Sequence, residues 1–163
     1  FRKDGNIMKR YYIAYGSNLN IRQMRIRCPH ARVIGTAVIH DYELLFKGSH
    51  TGAYLTIEPK EGSEVPVAVW EVTESDEVAL DRYEGYPVFY YKKEIELDIR
   101  GIRTGKIRRR KCFVYIMHEE RKIGVPSLSY VSTCLQGDIS FGFDEHYLSE
   151  AQIKAVEVAG HEE

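Results

Sequence analysis

The sequence predicts an α+β fold, a mixed or largely antiparallel sheet flanked by helices. Three observations carry this. The 163 residues give about six strand-like runs, and most of them lie in one β-rich middle. Three or four helical patterns sit at the ends and between runs, without the regular strand–helix alternation of a doubly wound parallel sheet. No Ser/Gly/Pro-rich linker, low-complexity tract or internal repeat divides the chain, so residues 8–163 read as a single domain. The stretch before Met8, FRKDGNI, reads as a cloning remnant or alternative start and is set outside that domain.

The elements follow in order. Lys9 to Tyr15 is rich in aromatic and β-branched residues and reads as a strand. Asn18 is placed to cap a short helix over Leu19 to Arg27, which ends near Pro29. Arg32 to Lys47 reads as one or two strands with Gly35 as a bulge. Tyr54 to Glu58 and Val65 to Val72 read as a strand pair joined by the turn PKEGSE. In TESDEVALDRYEG, Thr73 and Asp76 have capping-box spacing and Gly85 supplies a left-handed stop. Val88 to Ile99 and Lys106 to Met117 read as strands around the turn RGIRTG. A helix is expected to start near Pro126 and a last one near Asp144.

Charge and composition narrow the function classes. The hydrophobic fraction is 44% and the formal net charge −1, which gives no global attraction to nucleic acid or to an anionic membrane. The local exception is Arg100 to Lys111, with seven Lys or Arg residues. Strand alternation puts Arg109 and Lys111 on one face, and Glu94, Glu96 and Asp98 are within reach of pairing across the hairpin. A solvated edge hairpin is therefore expected over a phosphate-tracking groove. No apolar run has membrane-spanning length. Cys28, Cys112 and Cys134 are odd in number, lack CxxC spacing and have apolar neighbours. They read as small core residues with free thiols, which points to a cytoplasmic protein.

Phosphate-binding glycine loops, GxSxG and HExxH are all missing, and the six histidines form no close pair. No metal or cofactor is expected. Two complementary features remain. The Tyr15-Gly16-Ser17-Asn18-Leu19 turn joins a strand to a helix, where the first N–H groups lack partners. It is either a plain helix cap or a site for a carboxylate or developing oxyanion. In LDRYEGYPVFYY, Glu84 falls at a helix C-terminus, where a carboxylate costs about 0.3–1 kcal/mol. Glu84 is either an exposed residue before a glycine stop or a partly desolvated base whose pKa is raised toward neutrality.

With these motifs the sequence resembles the γ-glutamylcyclotransferase family and its AIG2-like relatives. Residues 15–19 match an opening YGSNL, "VAVWEVTESDEVALDRYEG" matches a VxW strand, a helix and LDxxEG, and CFVYIM is followed by PSLSY. The resemblance implies a barrel-like mixed sheet and conversion of a small γ-glutamyl molecule to 5-oxoproline plus a free amine. It implies Glu84 as catalytic acid/base, Tyr15, Gly16, Ser17, Asn18 and Leu19 as the loop holding the glutamyl head, and Tyr130 as a further substrate-binding residue. Ser127 is assigned to local structure. No metal or cofactor and no nucleic-acid or membrane partner is implied, and the sequence leaves monomer and homodimer equally open. Two readings stand beside this one: a pathway-specific enzyme that removes a γ-glutamyl group from an amine, and a non-catalytic binding domain on the same scaffold.

Overall fold

A computed structural model describes residues 8–49 and 52–161; the remnant assigned to residues 1–7 lies outside them. The strands are β1 (Lys9–Ala14), β2 (Arg32–Ser49), β3 (Gly52–Thr73), β4 (Tyr90–Gly101), β5 (Ile107–Met117) and the short β6 (Lys122–Ile123). The helices are α1 (Ile21–Arg27), α2 (Glu74–Glu84), α3 (Leu128–Phe141) and α4 (His146–His161), and a single 3-10 turn covers Ser17–Leu19.

The sheet runs β3-β1-β5-β4-β2, and β2 pairs back with β3, so these strands close a barrel with β6 on the β2 edge. Among the described pairings β1–β5 is parallel and the others are antiparallel. The barrel-like expectation is met. Closure between β2 and β4 is narrow, through Gly35↔Gly101 and Thr36↔Arg100. Gly35 permits it: a Cβ there would lie 2.3 Å from the Arg100 carbonyl oxygen. The expected bulge appears as a register shift between Val33 and Gly35.

Strand alternation sorts the apolar residues into two layers. Ile13, Val65, Val67, Val69, Val114 and Ile116 share one buried cluster with Cys134 of α3 and Leu148, Ala151 and Ala155 of α4. Tyr12, Ala14, Ala68, Trp70, Val72, Phe113 and Tyr115 share the other with Met24 of α1 and Leu80 of α2. Both faces of β1, β3 and β5 are therefore buried. Each fully buried Val or Leu contributes roughly 1.5–3 kcal/mol, so these layers dominate what holds the helices on the barrel.

Two local expectations are corrected. Asn18 does not cap α1; Asn20 does, with its side chain accepting from the Gln23 N–H at 3.1 Å. The PKEGSE segment does not turn one strand back on the next. Tyr54 pairs with Lys47 and Val65 with Ile39, so both halves of β3 lie along β2. Residues 60–63 bulge outward instead, and the Gly62 N–H bonds the Asp41 carboxylate at 2.9 Å. Gly62 has a positive φ of 85°. Turn chemistry is thus present, but the longer β2 offers a continuous partner and the glycine serves a bulge.

The other boundaries follow their signals. Thr73 and Asp76 form the capping box and Gly85 ends α2 in the left-handed region at φ 66°. Ser127 caps α3 by accepting from the Tyr130 N–H. The basic hairpin pairs across its strands, with Arg109 bridging Glu96 at 3.1 Å and Asp98 at 3.2 Å. Cys28, Cys112 and Cys134 are buried and unbridged. Burial pushes their thiols up to about 12, 11 and 12 respectively. No helix among the described residues is long and apolar enough to cross a membrane.

Candidate active site

One cavity of about 390 Å³ opens beside the C-terminal end of β1. Strand β1 delivers Tyr12 and Ile13 to its wall, and the turn that follows adds Tyr15, Gly16, Ser17 and Asn18. The end of α2 supplies Arg82, Tyr83, Glu84 and Gly85. Tyr54 and Leu55 of β3, Tyr115 of β5 and Tyr130 of α3 close the remaining sides. The sequence elements that looked separate, 65 residues apart from Tyr15 to Leu80, therefore share one wall system.

The turn is held from several directions. The Tyr15 hydroxyl donates to the Tyr115 carbonyl at 2.7 Å. Ser17 Oγ and Tyr83 Oη are 2.9 Å apart, which ties the turn to α2. Asn18 donates to the Tyr12 hydroxyl at 2.8 Å and accepts from the Arg27 guanidinium. Within the 3-10 turn the Leu19 N–H is spent on the Gly16 carbonyl at 3.0 Å. The N–H groups of Ser17 and Asn18 take no hydrogen bond within the turn. The expectation of a donor run from Gly16 to Leu19 therefore narrows to its first positions. The turn is too short to carry a full helix dipole, so its anion preference rests on local N–H groups.

Leu19 is packed away from the cavity. It is buried, and a Cβ on Gly137 of α3 would lie 2.5 Å from its Cβ and 2.8 Å from the Asn20 nitrogen. Only glycine lets α3 press directly on the backbone of the turn. Asn20 adds hydrogen bonds to the Thr133 carbonyl and to Gln136 at 3.2 and 3.1 Å.

Glu84 is half-buried at the last residue of α2 and is the only carboxylate among the cavity-lining residues. Desolvation pushes its pKa up to about 7, and the Arg27 charge pulls in the opposite direction. Burial, with Glu84 nearby, holds the Tyr12 and Tyr15 phenols well above their usual values, so both stay protonated. Tyr130 accepts the Leu55 N–H at 3.1 Å. Its oxygen would lie 3.4 Å from a Cβ on Gly16, and its hydroxyl also hydrogen-bonds the Cys134 side chain. Burial raises this phenol too.

A profile of the family described as "Gamma-glutamyl cyclotransferase, AIG2-like" matches residues 12–132. The chain belongs to the AIG2-like γ-glutamyl cyclotransferase family. The human protein named γ-glutamylcyclotransferase is 29% identical over 153 residues, which cover 90% of this chain and 78% of that one. The mouse protein of the same name is 28% identical over an equal span, again 90% and 78% of the two chains. A solved structure titled γ-glutamyl cyclotransferase superposes with a TM-score of 0.75 at 26% identity, covering 89% of this chain and 87% of that one.

Within this member of the γ-glutamyl cyclotransferase family, several residues that line the cavity or stand behind its wall escape a reading by motif. Arg27 stands 12 positions beyond Tyr15, yet its guanidinium lies 3.4 Å from the centroid of the Tyr83 ring. The signal available was its place in the last turn of the helix that the loop initiates. Tyr115 lies inside the CFVYIM strand, where it reads as core. Tyr54 comes from the start of β3, and its ring meets Tyr130 edge-on at 5.2 Å and Phe89 at 6.3 Å. No local pattern predicts that meeting.

Proposed function

We propose that this protein is a γ-glutamyl cyclotransferase that converts a γ-glutamyl amino acid or amine to 5-oxoproline and the free amine, with Glu84 as general acid/base. The observation that carries this reading is a lone carboxylate, raised to about 7 by desolvation, in the same cavity as Gly16, Ser17 and Asn18. Glu84 takes a proton from the substrate's α-ammonium. The freed amine attacks the γ-carbonyl, and the carbonyl electrons move onto oxygen. Protonated Glu84 returns its proton to the departing nitrogen, collapse of the tetrahedral intermediate breaks the original amide bond, and the second proton, shed by the ring nitrogen, passes through the carboxylate to the amine, which leaves as an ammonium. Atoms and charge balance, and the carboxylate is regenerated.

This scheme asks little of the protein because nucleophile and electrophile are already tethered. A well-aligned five-membered closure has an effective molarity of about 10⁵ M or more. The N–H groups of the turn suit either the α-carboxylate or the oxyanion. The Tyr130 hydroxyl, beside Gly16, turns from Cys134 to donate to the substrate. A base with a pKa near ambient pH is about half ionised and still strong enough to accept the proton. Release of 5-oxoproline from γ-glutamyl amino acids tests the reading. Glu84→Gln is expected to retain the fold by circular dichroism and lose about 10³-fold in kcat/KM. Turnover within a few-fold of the unaltered protein would remove Glu84 from the chemistry.

A further inference from the structure

We infer that Tyr83 is a positioning residue that clamps the Ser17–Asn18 turn to the last turn of α2 and so sets how far the N–H donors stand from Glu84. This rests on the cyclotransferase reading and adds to that site a residue that acts through others. The turn has little means of holding its own shape. It is a single 3-10 turn of three residues, and no side chain caps it. Such turns have poorer hydrogen-bond geometry than an α-helix. The Ser17 and Asn18 N–H groups take no hydrogen bond within it. A donor pair aimed at a carboxylate or an oxyanion is effective only when it is fixed before the substrate arrives. The fixing must therefore come from outside the turn.

Tyr83 supplies it from the helix that carries the base. Its hydroxyl oxygen lies 2.9 Å from Oγ of Ser17, which is buried. Its ring packs against the Arg27 guanidinium, 3.4 Å from carbon to centroid. The same guanidinium donates to Asn18 and to Gln23. Ser17 and Asn18 are thus both held through Tyr83, one directly and the other through the cation on its ring. Tyr12 also holds Asn18, at 2.8 Å, but from β1, which does not carry the base. The end of α2 is itself secured, with the Gly85 N–H on the Arg82 carbonyl at 3.3 Å and the Tyr86 N–H on the Asp81 carbonyl at 2.9 Å. The clamp therefore joins the turn to a fixed point one residue from Glu84. Tyr83 is 44% exposed, so water competes for its hydroxyl, and the cation against its ring face keeps the phenol in place.

The test is a double-mutant cycle read with γ-glutamylalanine. Tyr83→Phe removes the hydroxyl and keeps the ring against Arg27. It is expected to lower kcat/KM about tenfold, less than the roughly hundredfold that a misplacement of about 1 Å can cost. Ser17→Ala should lose at least as much, and adding Tyr83→Phe to it should cost less than about twofold more. A merely structural role lowers the folded fraction, which multiplies every rate, and would cost the same in both backgrounds. That outcome overturns the inference, as does Tyr83→Phe turning over within about twofold of the unaltered protein. The inflection of kcat/KM with pH should stay within about half a unit in Tyr83→Phe, because the Arg27 charge and the burial of Glu84 remain. A larger displacement would make Tyr83 a modulator of the carboxylate instead of a holder of the turn, and overturns the inference too. Ser17→Gly, which also lacks the hydroxyl, serves for the cycle if Ser17→Ala folds poorly. The cyclotransferase reading falls separately: no 5-oxoproline from the unaltered protein sinks both ideas, whereas turnover with an additive cycle sinks only this one.

Discussion

Three of the five acidic residues of helix α2 meet two different surroundings. Glu77 and Asp81 face cations: Arg10 reaches Glu77 at 2.7 Å, and Lys92 reaches Glu77 at 2.9 Å and Asp81 at 2.7 Å. Asp81 also accepts the Tyr115 hydroxyl at 2.6 Å. Less than one turn further on, Glu84 faces the aromatic cavity without a direct ion-pair partner, and its pKa rises to about 7. Ion pairing of the first two carboxylates anchors the helix to β1 and β4. Desolvation leaves the third able to change charge near neutrality. The same residue class on one helix thus serves structure or chemistry according to what stands opposite.

Breaking the paired end should have the largest effect on stability. In Lys92 the burial penalty is outweighed by hydrogen bonds to Asp81 and Glu77, and its pKa is held above the usual value. Lys92→Met leaves Asp81 without its cation. We expect a loss of about 2–3 kcal/mol, a discounted form of the cost of orphaning a buried charge. For a chain of this size that corresponds to about 4–12 °C in Tm, read by calorimetry at pH 7.

The unpaired end should respond with the opposite sign. The folded pKa of Glu84, about 7, exceeds its ordinary value of 4.5, so the folded state binds more protons between those two pH values. Stability contributed by Glu84 is therefore present at low pH and lost as pH rises through that window. Glu84→Gln removes the penalty. It should be more stable than the unaltered protein by on the order of 2 kcal/mol at pH 8 and nearly equal at pH 5, as chemical denaturation would reveal. A variant that destabilises at pH 8 would mean that Glu84 has a compensating partner in solution. The expected pattern is a catalytic group held at the expense of folding energy.

A smaller effect sharpens the contrast. Arg27, seated over the Tyr83 ring, is the cation that lowers the Glu84 pKa against the larger effect of desolvation. Arg27→Met should move the alkaline-rising limb of kcat/KM to higher pH. The ratio of activity at pH 6 to that at pH 8.5 should fall severalfold, while a merely structural role would scale both equally. Because Arg27 also holds Asn18, an overall loss will accompany the shift, and the ratio is the informative quantity.

Much of the fold was readable because its signals are local. Thr73 and Asp76 at capping-box spacing, Gly85 after the last apolar turn, and Gly35 within a strand pattern each meant what they suggested. The opposed Arg109, Glu96 and Asp98 did so as well. The misread segments failed where a distant partner outbid a local preference. Gly62 could have reversed the chain, but β2 continued alongside and turned the excess residues into a bulge. Asn18 has cap chemistry, yet Tyr12 and Arg27 engage both ends of its amide, and the cap passes to Asn20. Leu19 belongs to the loop motif but packs beneath Gly137 rather than lining the cavity.

Residue order and spacing specify the caps, stops and alternating strands, and they put a glutamate where a helix end offers it no stabilisation. Those are contacts within a few residues, for which spacing is sufficient information. Tertiary structure alone decided that Tyr54 of β3, Tyr115 of β5 and Tyr130 of α3 meet around that glutamate, and that Arg27 rather than a neighbour in sequence moderates its charge. A pKa is set by everything within several ångströms, and closing the barrel is what brings those groups within range.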